Sequence, residues 1–188
     1  MAKKRKTWAK KEFNNLVAIT VVVWAVFGAI TKVKDDNIVQ AMHKAKSESV
    51  DAWAEYQAAR IKLHVDENGL EQTRLLQGLG VDQALVGRQV AEYESDLKKY
   101  QARSAETMAK AKALEAEYDR LNFRDDQFDM SDAFLSIAVA LSAVASLADA
   151  YWLLYVAWGS GAVGLLFGIA GFLGLNFRPD WLAQLLGT

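Results

Sequence analysis

Two short clusters of aspartate are the residues of this chain best suited to chemistry. Asp35-Asp36 and Asp125-Asp126-x-x-Asp129 supply five carboxylates, and divalent cations favour oxygen ligands. A plainer use competes with that one. Carboxylates also solvate and cap helix ends, and Lys32, Lys34 and Arg124 are near enough to neutralise part of the charge. The plainer use is the more economical. His43 and His64 are the only histidines and lie 21 residues apart. No pair therefore has the close helical spacing that a transition-metal site uses. Cysteine is absent, which removes thiolate ligands, thiol nucleophiles and disulfides together. Asp149 is the one side chain charged at neutral pH between Asp132 and Arg178. A carboxylate inside a membrane is a functional suspect, but at the edge of a span it is better explained as a solvated turn residue or helix cap. No Walker loop, dinucleotide fingerprint, G-x-S-x-G or H-E-x-x-H is present. These residues predict no catalytic constellation, no cofactor and no metal, and hence a non-enzymatic protein.

The elements that must position these residues follow from how hydropathy is sorted. Mean hydropathy is +0.00, but that value averages two materials. Phe13 to Thr31 is 19 residues without a charge, and after Asp132 only Asp149 interrupts an apolar run to Phe177. A bilayer core is about 30 Å thick and takes about 20 apolar helical residues to cross. The pattern predicts an all-α membrane protein with three transmembrane helices, over 13–31, 131–149 and 151–176. Pro179 is the one proline of the chain, so long helices meet no breaker before it. Ser131 or Asp132 is a candidate cap for the second span. Asp149-Ala150-Tyr151 makes a very short turn before the third. Residues 177–188, with Pro179 and Trp181, predict an interfacial C-terminus.

The segment 32–130 is charged and helical in pattern, with 15 basic and 20 acidic side chains over 32–132. Ile38, Met42, Ala45, Ser49, Ala52, Tyr56, Ala59 and Leu63 follow one another at alternating steps of four and three. Val86, Val90, Tyr93, Leu97, Tyr100, Ser104, Thr107, Ala111, Leu114, Tyr118 and Leu121 do the same. Both are heptad seams. Gly78 and Gly80, within 77–82, supply a place to reverse. Folding there predicts a long antiparallel coiled-coil hairpin in which Ile38 meets Leu121, Met42 meets Tyr118, Ala45 meets Leu114, Ala59 meets Tyr100 and Leu63 meets Leu97. Large residues then oppose small ones. Arms of roughly 40 residues would reach about 60 Å. His64 to Thr73 is the weakest helical stretch, interrupted by Asp66, Asn68 and Gly69.

A second small-residue seam runs through the third span: Ala157, Gly161, Gly164, Gly168 and Gly171. Small residues let helices approach closely in lipid. Packing against the small face Ala138, Ser142 and Ala145 of span two is the first use to expect. Packing between subunits, or lining a pore, are the others. Off the hairpin seam, Val50, Trp53 and Ile61 are candidate contacts to neighbouring subunits.

Residues 1–12 hold six basic side chains and one acid, which favours a cytoplasmic N-terminus. The hairpin then falls outside, in the periplasm of a Gram-negative cell. A cleaved signal peptide is the rival reading, but the apolar core is long and Phe27 spoils the small-x-small pattern. The basic run suits anionic lipid better than nucleic acid, so no nucleic-acid partner is expected.

The stretch Lys32-Val33-Lys34-Asp35-Asp36-Asn37-Ile38-Val39-Gln40-Ala41-Met42, directly after the first span, resembles a family of small bacterial membrane proteins known only as a domain of unknown function. Arg120-x-x-x-Arg124-x-x-x-Phe128, before the last two spans, is similar too. The resemblance implies a three-span bacterial protein and supplies no activity. Asp149 departs from it, since such proteins often place basic residues between the last two spans. Together these features predict a structural or scaffolding protein of the bacterial inner membrane, a homo-oligomer in contact with lipids and with an unidentified membrane-protein partner. The alternative is a subunit or accessory of a channel or transport complex.

Overall fold

In a computed structural model, residues 2–77, 79 and 82–177 are described, with side chains from Lys10 onward. The turn glycines Gly78 and Gly80, and the C-terminal stretch with Pro179 and Trp181, lie outside the described residues. Three helices account for nearly all of the rest: α1 (Ala2–Gln77), α2 (Gln83–Ala148) and α3 (Tyr151–Leu173). Each is long and apolar enough in part to cross a membrane. The first two pack antiparallel. Neither Ser131 nor Asp132 starts a helix, because α2 runs through both without a break.

The helix ends have local causes. Asp82 caps α2, its Oδ1 accepting the Ala84 amide at 3.0 Å and the Leu85 amide at 3.4 Å. At the other end of α2, Asp149 takes a left-handed conformation (φ 49°), which Asp tolerates better than most residues. The Ala150 amide then reaches back to the Ala145 carbonyl at 3.0 Å, completing a Schellman closure. Asp149 is thus the stop of α2. The residue that precedes α3 is Ala150, which makes no side-chain cap bond. Helix α3 ends on the same device with Gly174 at φ 64°, and the Leu175 amide bonds the Ala170 carbonyl at 3.0 Å.

The chain divides into two compact units. The first holds residues 1–42 and 120–188 and is a three-helix bundle. In it α1 and α3 run parallel, with Phe13 against Tyr151, Thr20 accepting from Trp158 Nε1 at 3.1 Å and Phe27 beside Gly168. Helix α2 runs the other way, Lys10 meeting Asp149 at 2.6 Å and Gly28 facing Leu135. Phe13, Val17, Ala145 and Leu154 form one buried cluster, flanked by Val21, Leu153 and Trp158. Met130 and Phe167 form another, flanked by Phe134 and Val163. The outward faces stay apolar: Ile19, Val22, Val26, Ile30, Leu147 and Leu166 are all exposed. That surface suits hydrocarbon and is unfavourable in water.

The second unit is 43–119, a pair of antiparallel helices. Ala45, Ser49, Ala52, Ala59 and Leu63 are buried on α1, and Ser104, Thr107 and Ala111 on α2. Tyr56, Leu97, Tyr100, Leu114 and Tyr118 are half-buried. The polar margins carry Arg103–Glu55 at 3.2 Å and Arg74–Glu94 at 2.9 Å. Both pairs are exposed and contribute little to stability. Lys46 stands over the Tyr118 ring, and Lys62 and Lys99 over Tyr100. Helix α1 passes through His64–Thr73 without interruption. Gly69 has a packing reason: a Cβ there would lie 2.7 Å from the Tyr93 ring, so the missing side chain is the space that ring occupies.

Candidate functional site

The polar groups of the first unit concentrate on Asp35, Asp125, Asp126, Gln127 and Asp129. Asp35 is 4 % exposed although Asp36, its neighbour in sequence, is exposed. A helical step of about 100° separates them, and Asp35 falls on the inward face. The seam of α1 explains which face that is. Stepping back from Ile38 by three and then four residues gives Asp35 and Thr31, and all three are buried. Stepping forward from Leu121 by four and then three gives Asp125 and Phe128. The carboxylates therefore stand where the heptad rule would put core residues.

Their chemistry follows from that placement. Lys32 Nζ donates to Asp35 Oδ2 at 2.8 Å and lies 3.6 Å from Asp36. The bond to Asp35 raises the Lys32 pKa above its ordinary value. Asp35 Oδ1 and Asp125 Oδ1 are both buried without a hydrogen-bond donor. Burial pushes the Asp125 carboxyl up to about 7, helped by the adjoining Asp35 carboxylate and by the charges of Asp129 and Asp126. Asp129 is also raised, first by burial and then by the charge of Asp35, with Lys32 opposing.

Next to this group α2 grips the end of α3. The Arg124 guanidinium donates to the Gly171 carbonyl at 3.0 and 3.2 Å. Gln127 Nε2 donates to the Leu175 carbonyl at 2.6 Å and the Phe177 carbonyl at 2.8 Å. The last carbonyls of a helix have no partner within it, and a cation there also suits the negative end of the helix dipole.

The small-residue seam of α3 faces inward along its whole length. Ala157, Gly161, Gly164, Gly168 and Gly171 are all buried. A Cβ at Gly161 would collide with the Trp24 indole. One at Gly164 would lie 2.9 Å from Leu135 Cγ and 3.0 Å from the Ser131 carbonyl. One at Gly168 would lie 2.7 Å from the Phe27 ring, and one at Gly171 2.9 Å from the Phe128 ring. Rings and a close backbone fill the seam, from α1 and α2 both. The small face Ala138, Ser142 and Ala145 is buried too, but Ala145 belongs to the cluster around Phe13 and Leu154. Size complementarity, the rule that pairs the hairpin layers, was the signal that could have matched Trp24, Phe27 and Phe128 to these glycines.

The remaining candidates are peripheral. His43 is exposed, and His64 sits between Arg60 at 3.2 Å and Glu67 at 2.8 Å on one turn of α1. Among the described residues no three His, Asp or Glu side chains converge as a metal-ligand set. Val50 and Ile61 are exposed, whereas Trp53 is half-buried and donates to Glu115 at 2.8 Å.

These features define a class: an all-helical protein with three helices apolar enough for a membrane, two of them paired antiparallel. A family model described as Domain of unknown function (DUF4337) matches residues 13–174, most of the chain, and the protein belongs to that family. No curated protein and no solved structure matches it.

Proposed function

We propose that the protein is a non-enzymatic integral membrane protein with three spans, whose charged helical hairpin lies outside the lipid and acts as a structural or scaffolding element. One observation carries this reading. Helices α1 and α2 each contain a bilayer-length apolar segment and, without a break, a charged segment whose inward seam pairs with the other. A protein built this way presents a stiff polar surface at a membrane. The basic run at 1–12 supports a cytoplasmic N-terminus, with the hairpin then on the periplasmic side of a bacterial inner membrane. Self-assembly belongs to this proposal through the exposed residues Val50 and Ile61. The glycines of α3 are already covered by Trp24, Phe27 and Phe128, which weighs against the rival reading of a pore-lining subunit.

The test combines topology with assembly. Single cysteines at Val50 and at Leu147 in the cysteine-free chain should be labelled from opposite sides of inverted vesicles by a membrane-impermeant maleimide. Native mass spectrometry of the detergent-purified protein should show a homo-oligomer. A monomer under all conditions, or conductance in a planar bilayer that Gly164→Leu abolishes, would overturn the scaffold reading.

A further inference from the structure

Asp35 and Asp125 come from different helices, yet each holds a buried Oδ1 with no donor. An ionised carboxylate only accepts hydrogen bonds, and a protonated one donates. Two buried acceptors without a donor, near enough that the charge of Asp35 acts on Asp125, repel each other unless something neutralises one of them. A divalent cation is a poor fit, since it asks for six or more oxygens and no three acids converge among the described residues. A single proton satisfies both oxygens at once.

The surrounding charges favour keeping that proton. From α1, Lys32 binds the other oxygen of Asp35, and Asp36 stands beside it. From α2, the charges of Asp126 and Asp129 act on Asp125 and that of Asp132 on Asp129, while Arg124 is turned to the carbonyls of Gly171 and Phe172. Helix α3 has no charged side chain. Among the charges shown to act on this group, the acids outnumber Lys32.

We propose that Asp35 and Asp125 bind one shared proton between α1 and α2, a carboxyl–carboxylate site that fastens this helix pair in mildly acidic medium and loosens it in alkaline medium. Two independent features agree with it. The upward shift of Asp125 to about 7 places the release of that proton near neutrality. The heptad seams put both residues in one layer, the continuation of the layer that holds Ile38 and Leu121. Two like carboxylates in one core layer are costly as a charged pair, and a shared proton removes one of the charges.

Infrared difference spectroscopy of the full chain in nanodiscs, titrated from about pH 5 to about pH 9 around the perturbed aspartate range, tests this directly. The wild type should show one protonated-carboxyl stretch that shifts with isotope-labelled aspartate and disappears near neutrality. Asp125→Asn supplies a permanent amide donor of the same shape. It should abolish that stretch and flatten the fall in thermal midpoint that the wild type shows over the same range. Asp129→Asn should retain the stretch. Absence of any protonated-carboxyl signal in wild type at the acidic end would overturn the proposal, whether or not the variants fold. So would persistence of the stretch in Asp125→Asn, or its displacement by millimolar magnesium or calcium, which would mark a cation site instead.

Discussion

Arg124 on α2 holds the carbonyl of Gly171 on α3 with two nitrogens of one guanidinium, at 3.0 and 3.2 Å. The bond crosses between helices and adds a charged donor to a carbonyl whose partner at the end of α3 is the Gly174 amide at 3.4 Å. Arg124→Ala should destabilise the bundle by roughly 1.5–3 kcal/mol, the range for a hydrogen bond to a charged group. Arg124→Lys should recover only part of this, because an ammonium lacks the planar fork. Hydrogen exchange at the Gly174 and Leu175 amides, which close the end of α3, is the measurement that separates a loosened terminus from a general loss of stability.

Gly164 and Gly159 lie five residues apart on α3 and should respond in opposite directions to the same change. A Cβ at Gly164 meets the Ser131 backbone, which cannot turn aside, whereas one at Gly159 meets nothing within 4 Å. Gly164→Ala should cost about 1–3 kcal/mol through overpacking. Gly159→Ala should be neutral or stabilise by up to about 1 kcal/mol through helix propensity. Unfolding in mixed micelles compares the two; equal effects would mean that the seam does not face the bundle.

Asp82→Ala removes the cap of α2 and should cost about 1 kcal/mol, with Asp82→Asn close to neutral. Exchange of the Ala84 and Leu85 amides should quicken in the alanine variant alone.

Ala59 and Tyr100 line one groove between the paired helices. The chain has no cysteine, so the double variant Ala59→Cys, Tyr100→Cys carries no competing thiol. It should form an intramolecular disulfide under mild oxidation, seen as a faster band on non-reducing electrophoresis. Cysteines at Val50 and Tyr100 should not.

Stability should fall as pH rises from the ordinary aspartate value of 3.8 through about 7. The sign follows from linkage: Asp125 and Asp129 hold their protons more tightly when folded, so the folded state binds the excess protons and loses its advantage as they leave. Denaturant midpoints at several pH values should therefore decline across that window. A rise would contradict the burial of these carboxyls.

Much of the fold was legible because its causes are local. Charge-free runs of bilayer length and steps of four and three can be read along one chain, and they announce three apolar helices and an antiparallel pair. The turn at Asp149 was legible as a turn, but its left-handed backbone was not, since Asp also starts helices. The grip of Arg124 and Gln127 on α3 could not be read, because it depends on where a different helix ends. Burial of Asp35 was within reach: the seam that starts at Ile38 continues backwards through it, but a charge at a seam position breaks the apolar pattern. A charged residue at a core position looks like the end of a pattern when it can instead be a member of it.

A Cβ at Gly168 would meet the Phe27 ring on α1 and the Ser131 hydroxyl on α2 at once. Substitutions at Phe27 and Ser131 should therefore be epistatic although those residues sit on separate helices, each altering how much room the other must leave. A drifting lineage could enlarge this position only through paired changes on two other segments, which makes the absent side chain a point where three stretches of sequence are obliged to evolve together.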